Sequence, residues 1–193
     1  MRLVVVSAGL TQPSSTRLLA DRLSTAVEAR VEVEVRVVEL RDLAVDIANH
    51  LVAGFPSPRL GEALTAVSEA DALIAATPIF TASYSGLFKS FFDLVDAEAL
   101  TGKPVLIAAT GGTARHSLAL EHAMRPMFAY LHAVVVPTGV YAASADWADG
   151  ELATRIDRAA GELTDLLLRN PARHVEEELV PFAEQLAALR KKP

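Results

Sequence analysis

The sequence Leu3-Val4-Val5-Val6 runs directly into Ser7-Ala8-Gly9-Leu10-Thr11-Gln12-Pro13-Ser14-Ser15-Thr16, and this junction decides the fold. The first four residues are apolar and mostly β-branched, as in a strand that is buried on both faces. After Thr16, apolar residues recur about once per helical turn with charged residues between them, which predicts an amphipathic helix. A loop of small and hydroxyl residues therefore joins the carboxyl end of a buried strand to a helix N-terminus.

The hydroxyl residues at the start of this helix, Ser14, Ser15 and Thr16, have two interpretations. Free backbone N–H groups and the helix dipole favour an anion at such a position, so the loop can cradle a phosphate. The alternative is ordinary helix capping, which explains one hydroxyl well and three poorly. We therefore favour a phosphate-binding loop.

The bulk composition is that of a folded α/β domain. The 193 residues are 51% apolar and 22% charged, which is enough for one full core. We expect residues 1–170 to form the domain and residues 171–193 to add a C-terminal helical tail to it. The high apolar content suggests that some surface is buried against another subunit.

Charge, cysteine count and hydropathy argue against several classes of protein. Cysteine is absent, which excludes disulfides, thiolate catalysis and cysteine-bound metal. The net charge of −6 argues against nucleic-acid binding. No apolar run approaches the ~18 residues that a membrane span needs. The five histidines lack metal-ligand spacing, so we expect no metal site, and we expect a cytoplasmic location.

Strand and helix patterns alternate along the chain. The predicted strands cover residues 3–6, 31–38, 72–76, 105–109 and 133–137. The helices predicted between and after them include one continuous helix over 117–131, a helix over 152–168 that Pro171 ends, and a last segment over 182–190. This alternation predicts a parallel sheet with helices on both faces. Five strands in this length fit the order 2-1-3-4-5 of a flavodoxin-like three-layer sandwich.

Three loops rich in Gly, Ser, Thr and Pro follow the first, third and fourth predicted strands: Ser7–Thr16, Thr77–Ser85 and Thr110–His116. Parallel sheets bind ligands beyond the carboxyl ends of their strands, where the strand order reverses. In the order 2-1-3-4-5, all three loops meet at that point. We therefore expect one site that all three loops build together.

The second and third loops contain features suited to a flat ligand. Pro78 stiffens the backbone where the chain leaves its strand, and Phe80 and Tyr84 offer flat apolar surfaces. Gly111 and Gly112 allow a close approach to the backbone.

These three loops resemble those of a known family, the NAD(P)H-dependent FMN reductases of the flavodoxin-like superfamily. The likeness is closest to the actinobacterial type that serves flavin-dependent monooxygenases. It covers roughly residues 1–170 and rests on three stretches, which are Ser7–Ala20, Thr77–Lys89 and Ala109–His116. The pattern Thr-Pro-x-x-x-x-x-Tyr-Ser-Gly-x-x-Lys is moderately specific, and the three loops in this order are more so.

The resemblance implies a set of site residues. Ser14, Ser15 and Thr16 would bind the FMN phosphate. Pro78–Thr81 would follow the ribityl chain and the edge of the isoalloxazine, and Thr110–Gly112 would contact the pyrimidine side of the ring. The full set expected to bind the cofactor is Ser7, Gly9, Ser14, Ser15, Thr16, Pro78, Ile79, Phe80, Thr81, Tyr84, Thr110, Gly111, Gly112 and Thr113. Arg115 and His116 are candidate contacts of NAD(P)H. No catalytic side chain is expected, because stacked cofactors transfer the hydride.

One departure from the family concerns the first loop. Many relatives have Gly-Ser-x-Arg there, with the arginine on the phosphate, whereas this chain has Ala8-Gly9-Leu10-Thr11. We therefore expect weak FMN binding, as suits an enzyme that releases reduced flavin to a monooxygenase. The resemblance and the apolar content together predict a homodimer or tetramer.

The three loops leave other functions open. A quinone, azo or chromate reductase with tightly bound FMN needs the same stacked geometry, and the sequence does not separate it from an FMN reductase. A flavodoxin-type electron carrier is less favoured, because such carriers are strongly acidic and flank the flavin with two aromatic residues. A flavodoxin-like domain that has lost its flavin is the remaining alternative.

Overall fold

The computed structural model describes residues 1–148 and 150–169. Its strands are β1 (Arg2–Ser7), β2 (Glu34–Glu39), β3 (Ala72–Phe80), β4 (Ser83–Tyr84), β5 (Pro104–Gly111), β6 (Val134–Val135) and β7 (Val140–Ala143). Its α-helices are α1 (Ser15–Glu28), α2 (Ala44–Ala53), α3 (Pro58–Glu69), α4 (Gly86–Phe92), α5 (Arg125–Tyr130) and α6 (Gly150–Arg169). The predicted helix stop at Pro171 and the predicted helix over 182–190 lie outside the described residues.

The main sheet is parallel and follows the predicted order. β2, β1, β3 and β5 lie side by side, and both β6 and β7 pair with β5 on its far edge. Because β6 and β7 together form the fifth strand, the predicted order 2-1-3-4-5 is confirmed. The loops after β1, β3 and β5 therefore meet at the carboxyl edge.

The fifth strand is split, which the pattern over 133–137 does not predict. Pro137 lacks an N–H group and cannot continue the ladder. The Arg125 guanidinium donates to the carbonyls of Val136 and Pro137, each at 3.0 Å. On the other side of the break, the Glu162 carboxylate accepts from the backbone N–H and the hydroxyl of Thr138, both at 2.7 Å. Side chains thus satisfy backbone groups that a continuous strand would pair.

Helices cover both faces of the sheet. α1 and α6 pack on one face, over a core that includes Leu19, Leu23 and Leu163. α2 to α5 cover the other face, where Phe88, Phe91 and Phe128 are among the largest buried side chains. The phenylalanine rings of α4 therefore belong to the core of this face.

The helix predicted over 117–131 is confirmed over residues 119–130, but it is not a regular α-helix. It follows a 3₁₀ turn at Ala114–His116 and contains a π-helical turn at Leu120–Met124 before continuing as the short helix α5. The Arg125 N–H group bonds to the carbonyl of Leu120, five residues back. The next residue, Pro126, has no N–H group to form an α-helical bond, so the widened turn is accommodated at this position.

β3 and β4 form a tight hairpin at the same edge of the sheet. Its two central residues, Thr81 and Ala82, have positive φ angles of 49° and 67°. This geometry corresponds to a type I′ turn, which glycine and asparagine adopt more easily than threonine and alanine. No helix within residues 1–148 and 150–169 combines the length and apolar character needed to cross a membrane.

Candidate functional site

The first loop delivers the N-terminus of α1 to the carboxyl edge of the sheet. Ser14 is the N-cap residue, and its hydroxyl accepts a hydrogen bond from the Arg17 N–H group at 3.2 Å. Gly9 passes so close to Ser14 that a Cβ atom on Gly9 would lie 2.0 Å from the Ser14 hydroxyl oxygen. Glycine at position 9 is therefore required for the loop to fold back over the cap.

A buried pair of hydroxyls joins the first loop to the third. The Thr16 and Thr110 hydroxyl oxygens are 2.7 Å apart, and either can be the donor. Both residues are buried. Because one hydrogen suffices for this bond, the other hydroxyl of the pair keeps a hydrogen that it can donate elsewhere.

The second loop is fixed where it leaves β3. The buried Thr77 hydroxyl donates to the Pro78 carbonyl at 3.0 Å and accepts from the Ser85 N–H group at 3.1 Å. Ser85 in turn caps α4 by accepting from the Phe88 N–H group. These bonds hold Pro78 and Ile79 against the sheet edge, while the Phe80 side chain is half exposed.

The third loop is held by a tyrosine that the sequence analysis does not identify. The Tyr141 hydroxyl donates to the Thr113 carbonyl at 2.8 Å. A Cβ atom on Gly111 would lie 2.1 Å from the same hydroxyl oxygen, whereas one on Gly112 would meet nothing within 4 Å. Gly111 therefore makes room for Tyr141, and the open approach expected for both glycines is found only at Gly112. Burial, aided by the charge of Asp146, raises the pKa of Tyr141.

The three loops enclose a cavity of about 310 Å³. Ten of the predicted site residues line it, namely Gly9, Ser14, Ser15, Thr16, Pro78, Ile79, Phe80, Thr110, Gly111 and Gly112. Among the described residues, those that line this cavity include no charged side chain. The wall consists of backbone, hydroxyls and a few apolar side chains.

Six other predicted residues lie outside this lining. Ser7 is fully buried at the end of β1, and its hydroxyl has no hydrogen-bond partner within the described part of the chain. Tyr84 packs against the ring of Phe88, with ring centroids 5.8 Å apart, and lines a different cavity beside α4. Thr81 is at the hairpin tip, while Thr113, Arg115 and His116 are exposed beyond Gly112.

Five cavity residues are missing from the sequence prediction: Leu10, Thr11, Ala142, Ser144 and Trp147. Trp147 lies in the turn after β7, and the guanidinium carbon of Arg22 on α1 is 5.1 Å from the centroid of its ring. The rule that loops at the carboxyl edge build the site identifies this turn only once the fifth strand is known to extend to Ala143, beyond the predicted 133–137. The isolated aromatic residue alone gives no such signal.

Charged side chains lie behind the first loop. Arg17 donates to Asp21 and to Glu39, both at 2.6 Å, and these bonds raise the pKa of Arg17. Arg41 donates to the Thr11 carbonyl at 2.9 Å and lies 3.7 Å from Glu39. An arginine thus contacts the first loop from the 3₁₀ turn Leu40–Leu43 after β2, although the loop itself contains none.

Comparison with known proteins gives consistent matches. Residues 1–148 match the family model described as NADPH-dependent FMN reductase. An FMN reductase (NADPH) of Pseudomonas aeruginosa is 40% identical over 146 residues, which are 76% of this chain and 78% of that protein. An NADH-dependent FMN reductase, SfnF, of Pseudomonas fluorescens is 40% identical over 152 residues, covering 79% and 81% of the two chains.

A solved structure also matches closely. An oxidoreductase from Corynebacterium diphtheriae has a TM-score of 0.83 and 49% sequence identity, and the match covers 87% of this chain and 97% of that one.

Proposed function

The chain belongs to the NADPH-dependent FMN reductase family, and we propose that it releases the FMN it reduces to a flavin-dependent monooxygenase. It is an oxidoreductase that uses a reduced nicotinamide nucleotide and FMN. The finer parts of the proposal are the residues that hold the flavin, its release, the monooxygenase partner and the homo-oligomer. The cavity where the three loops meet is the observation that most directly supports the flavin-holding residues and the release of the flavin.

The cavity fits FMN in the chemistry of its donors. The first turn of α1 presents backbone N–H groups and the hydroxyls of Ser14 and Ser15, which suit a phosphate. The spare hydrogen of the Thr16–Thr110 pair adds a donor. The unpartnered hydroxyl of Ser7 lies directly before this loop in sequence. We assign the phosphate to this end of the cavity.

Another part of the cavity lining suits the flavin ring. The rigid edge at Pro78 and Ile79 offers a flat apolar surface, and the open backbone at Gly112 permits close approach. Backbone N–H groups of Gly111 and Gly112 would stabilise negative charge on the pyrimidine side of the ring.

When bound, FMN supplies the chemistry by accepting a hydride from the nicotinamide, so no side chain has to act as acid or base. The protein positions the two rings and excludes water between them. Arg115 and His116 are exposed beyond Gly112, and we expect them to contact the nucleotide. The family names of the relatives include both NADH and NADPH, so the donor has to be measured.

Release of the flavin follows from the uncharged lining. A phosphate held only by N–H groups and hydroxyls lacks the stronger, charge-assisted hydrogen bonds that an arginine supplies. We therefore expect FMN to leave after reduction. A quinone, azo or chromate reductase would instead keep its FMN through many turnovers.

The test is a steady-state assay of NADH and NADPH oxidation at 340 nm, under low oxygen and with FMN titrated. The proposal expects protein purified without colour and oxidation that saturates with added FMN. Yellow protein that oxidises nucleotide only after a quinone is added would favour the tightly bound alternative. Bound flavin without any nucleotide oxidation would favour an electron carrier.

The proposed homo-oligomer rests on a second cavity, of about 600 Å³, between α4 and the π-helical turn with α5. Apolar and aromatic side chains line most of it, and Tyr130 is 83% exposed beside it. A surface of this kind is typical of a subunit contact. Sedimentation of the wild type and of Tyr130→Glu tests it, since the charged variant should sediment as a smaller species. A wild type that sediments as a monomer would contradict the proposal.

A further inference from the structure

Arg17 lies within one helical turn of the proposed phosphate position but is turned away from it. It follows Thr16 directly, and its backbone N–H group bonds to the Ser14 cap. Its guanidinium, however, spans two carboxylates, donating to Asp21 from Nε and to Glu39 from a terminal nitrogen, both at 2.6 Å. The positive charge closest in sequence to the proposed phosphate position, which we call the cradle, is therefore already compensated by two carboxylates.

Glu39 is the more buried of the two carboxylates that hold Arg17. It is the last residue of β2, and its side chain is 13% exposed, compared with 46% for Asp21. Solvent screens a buried charge less than an exposed one, so Glu39 interacts more strongly with its surroundings. Its second carboxylate oxygen is buried and has no hydrogen-bond partner within the described residues.

Arg41 is the second arginine near Glu39 and lies on the side of the first loop. It lies 3.7 Å from the Glu39 carboxylate and donates to the Thr11 carbonyl. Both arginines that flank Glu39 thus interact with its carboxylate, and neither of them lines the cavity. A buried carboxylate needs such compensation, and the compensation occupies the cations that a phosphate would otherwise attract.

We propose that Glu39 sets the affinity for phosphorylated flavin by holding Arg17 away from the cradle and adding negative charge behind it. This inference rests on the proposed function, since it concerns the same phosphate position. Its consequence is that flavin release depends on one buried carboxylate as well as on the absence of an arginine in the loop.

The substitution Glu39→Gln tests the inference directly. Glutamine has a similar size and keeps an oxygen that can accept from Arg17, but it removes the charge. Arg17 then keeps only the more exposed Asp21 as a charged partner, so its positive charge next to the cradle is less compensated. We expect FMN to bind about tenfold more tightly, the gain of roughly one additional charge-assisted hydrogen bond. Riboflavin, which lacks the phosphate, should bind with unchanged affinity.

The site contains a fluorescent side chain that can report flavin binding. Trp147 lines the cavity and is the single tryptophan of the chain, so quenching of its fluorescence reports flavin binding. The dissociation constants of FMN and riboflavin are measured for the wild type and each variant. The ratio between the two flavins isolates the contribution of the phosphate and cancels general changes in the cavity.

Three variants serve as controls. Asp21→Asn removes the more exposed partner of Arg17 and should change the ratio by less than about twofold, because solvent screens this pair. The double variant Arg17→Met with Glu39→Gln should return the ratio close to that of the wild type. Arg41→Met removes a cation beside the intact carboxylate and should weaken FMN binding relative to riboflavin. This last variant tests the inference even if Glu39→Gln fails to fold.

The outcomes separate this inference from the proposed function. A wild type that neither binds nor reduces FMN would contradict the proposed function. A wild type that reduces FMN, with a flavin ratio that neither Glu39→Gln nor Arg41→Met changes, would overturn only the role of Glu39. A tighter FMN complex that survives in the double variant would also overturn it, since Arg17 would then have no part in it.

Discussion

The Thr16 and Thr110 hydroxyls lie 2.7 Å apart and are buried, so a single hydrogen bond ties the start of α1 to the carboxyl end of β5. These two segments are 94 residues apart in sequence. The bond fixes the proposed phosphate end of the cavity relative to the third loop. Preorganisation of this kind limits the entropy that a ligand must lose on binding.

Replacing either threonine by valine should destabilise the protein by about 1–3 kcal/mol, because the remaining hydroxyl is left buried without its partner. The double variant should lose less than the sum of the single losses, since no orphaned hydroxyl remains. Urea unfolding of the wild type, both single variants and the double variant measures this coupling. Strictly additive losses would show that the two hydroxyls do not depend on each other.

Substitution by alanine should lower the stability at Gly111 and weaken FMN binding at Gly112. Gly111→Ala places a Cβ atom 2.1 Å from the Tyr141 hydroxyl oxygen and should lower the unfolding temperature. In a Tyr141→Phe background this loss should shrink, because the clashing oxygen is gone. Gly112→Ala meets nothing within 4 Å, so it should fold normally and raise the KM for FMN instead. Thermal unfolding and FMN titration distinguish the two effects, and equal loss of stability at both positions would contradict this account.

Because of Lys103, the free energy of unfolding should rise with pH in the alkaline range. Its amine donates to the carbonyls of Val67 and Ser68 at the end of α3, and burial lowers its pKa from 10.5 to about 8. Between about pH 8 and 10.5 the unfolded chain binds more protons at this residue than the folded one, so stability increases as pH rises.

The control is Lys103→Met, which has no titrating group at this position. The free energy of unfolding of the wild type minus that of the variant, from urea titrations at several pH values, should increase across this range. A difference that stays constant with pH would show that Lys103 titrates alike in both states.

Substitutions in the hairpin turn at Thr81 and Ala82 should be able to stabilise the protein. Both residues have positive φ angles, which cost about 1 kcal/mol each for residues other than glycine. The double substitution Thr81→Asn with Ala82→Gly provides the residues that a type I′ turn prefers. It should stabilise the protein by about 1 kcal/mol and raise the melting temperature by about 2–4 °C. Ala82→Val, which is β-branched, should lower the melting temperature, and a fall in both variants would contradict the expectation.

The sheet and its ligand edge could be predicted from the sequence because local patterns encode them. The run Leu3–Val6 is a buried strand, and Ser14 begins a helix as an N-cap residue. Strand alternation and loop composition then bring three loops to one edge, and ten predicted residues do line the cavity there. The structural features that short sequence patterns determine could therefore be predicted.

The rest depends on contacts between distant segments. Nothing near Gly111 in sequence indicates that Tyr141, thirty residues later, occupies the space beside it. The pairing of Arg17 with Glu39 likewise requires the relative positions of α1 and β2. Apolar periodicity over 117–131 is compatible with one helix and does not reveal the widened turn before Pro126. Such details follow from tertiary packing rather than from local patterns.

The uncharged wall of the cavity also has a kinetic consequence. Long-range electrostatic steering needs a charged surface, and neither the cavity lining within the described residues nor the net charge of −6 attracts an anionic flavin from a distance. Backbone and hydroxyl dipoles act only close to contact. Flavin and nucleotide therefore arrive by undirected collision, and added salt should speed their arrival slightly by screening repulsion. The rate of the reaction then depends on the concentration of free flavin.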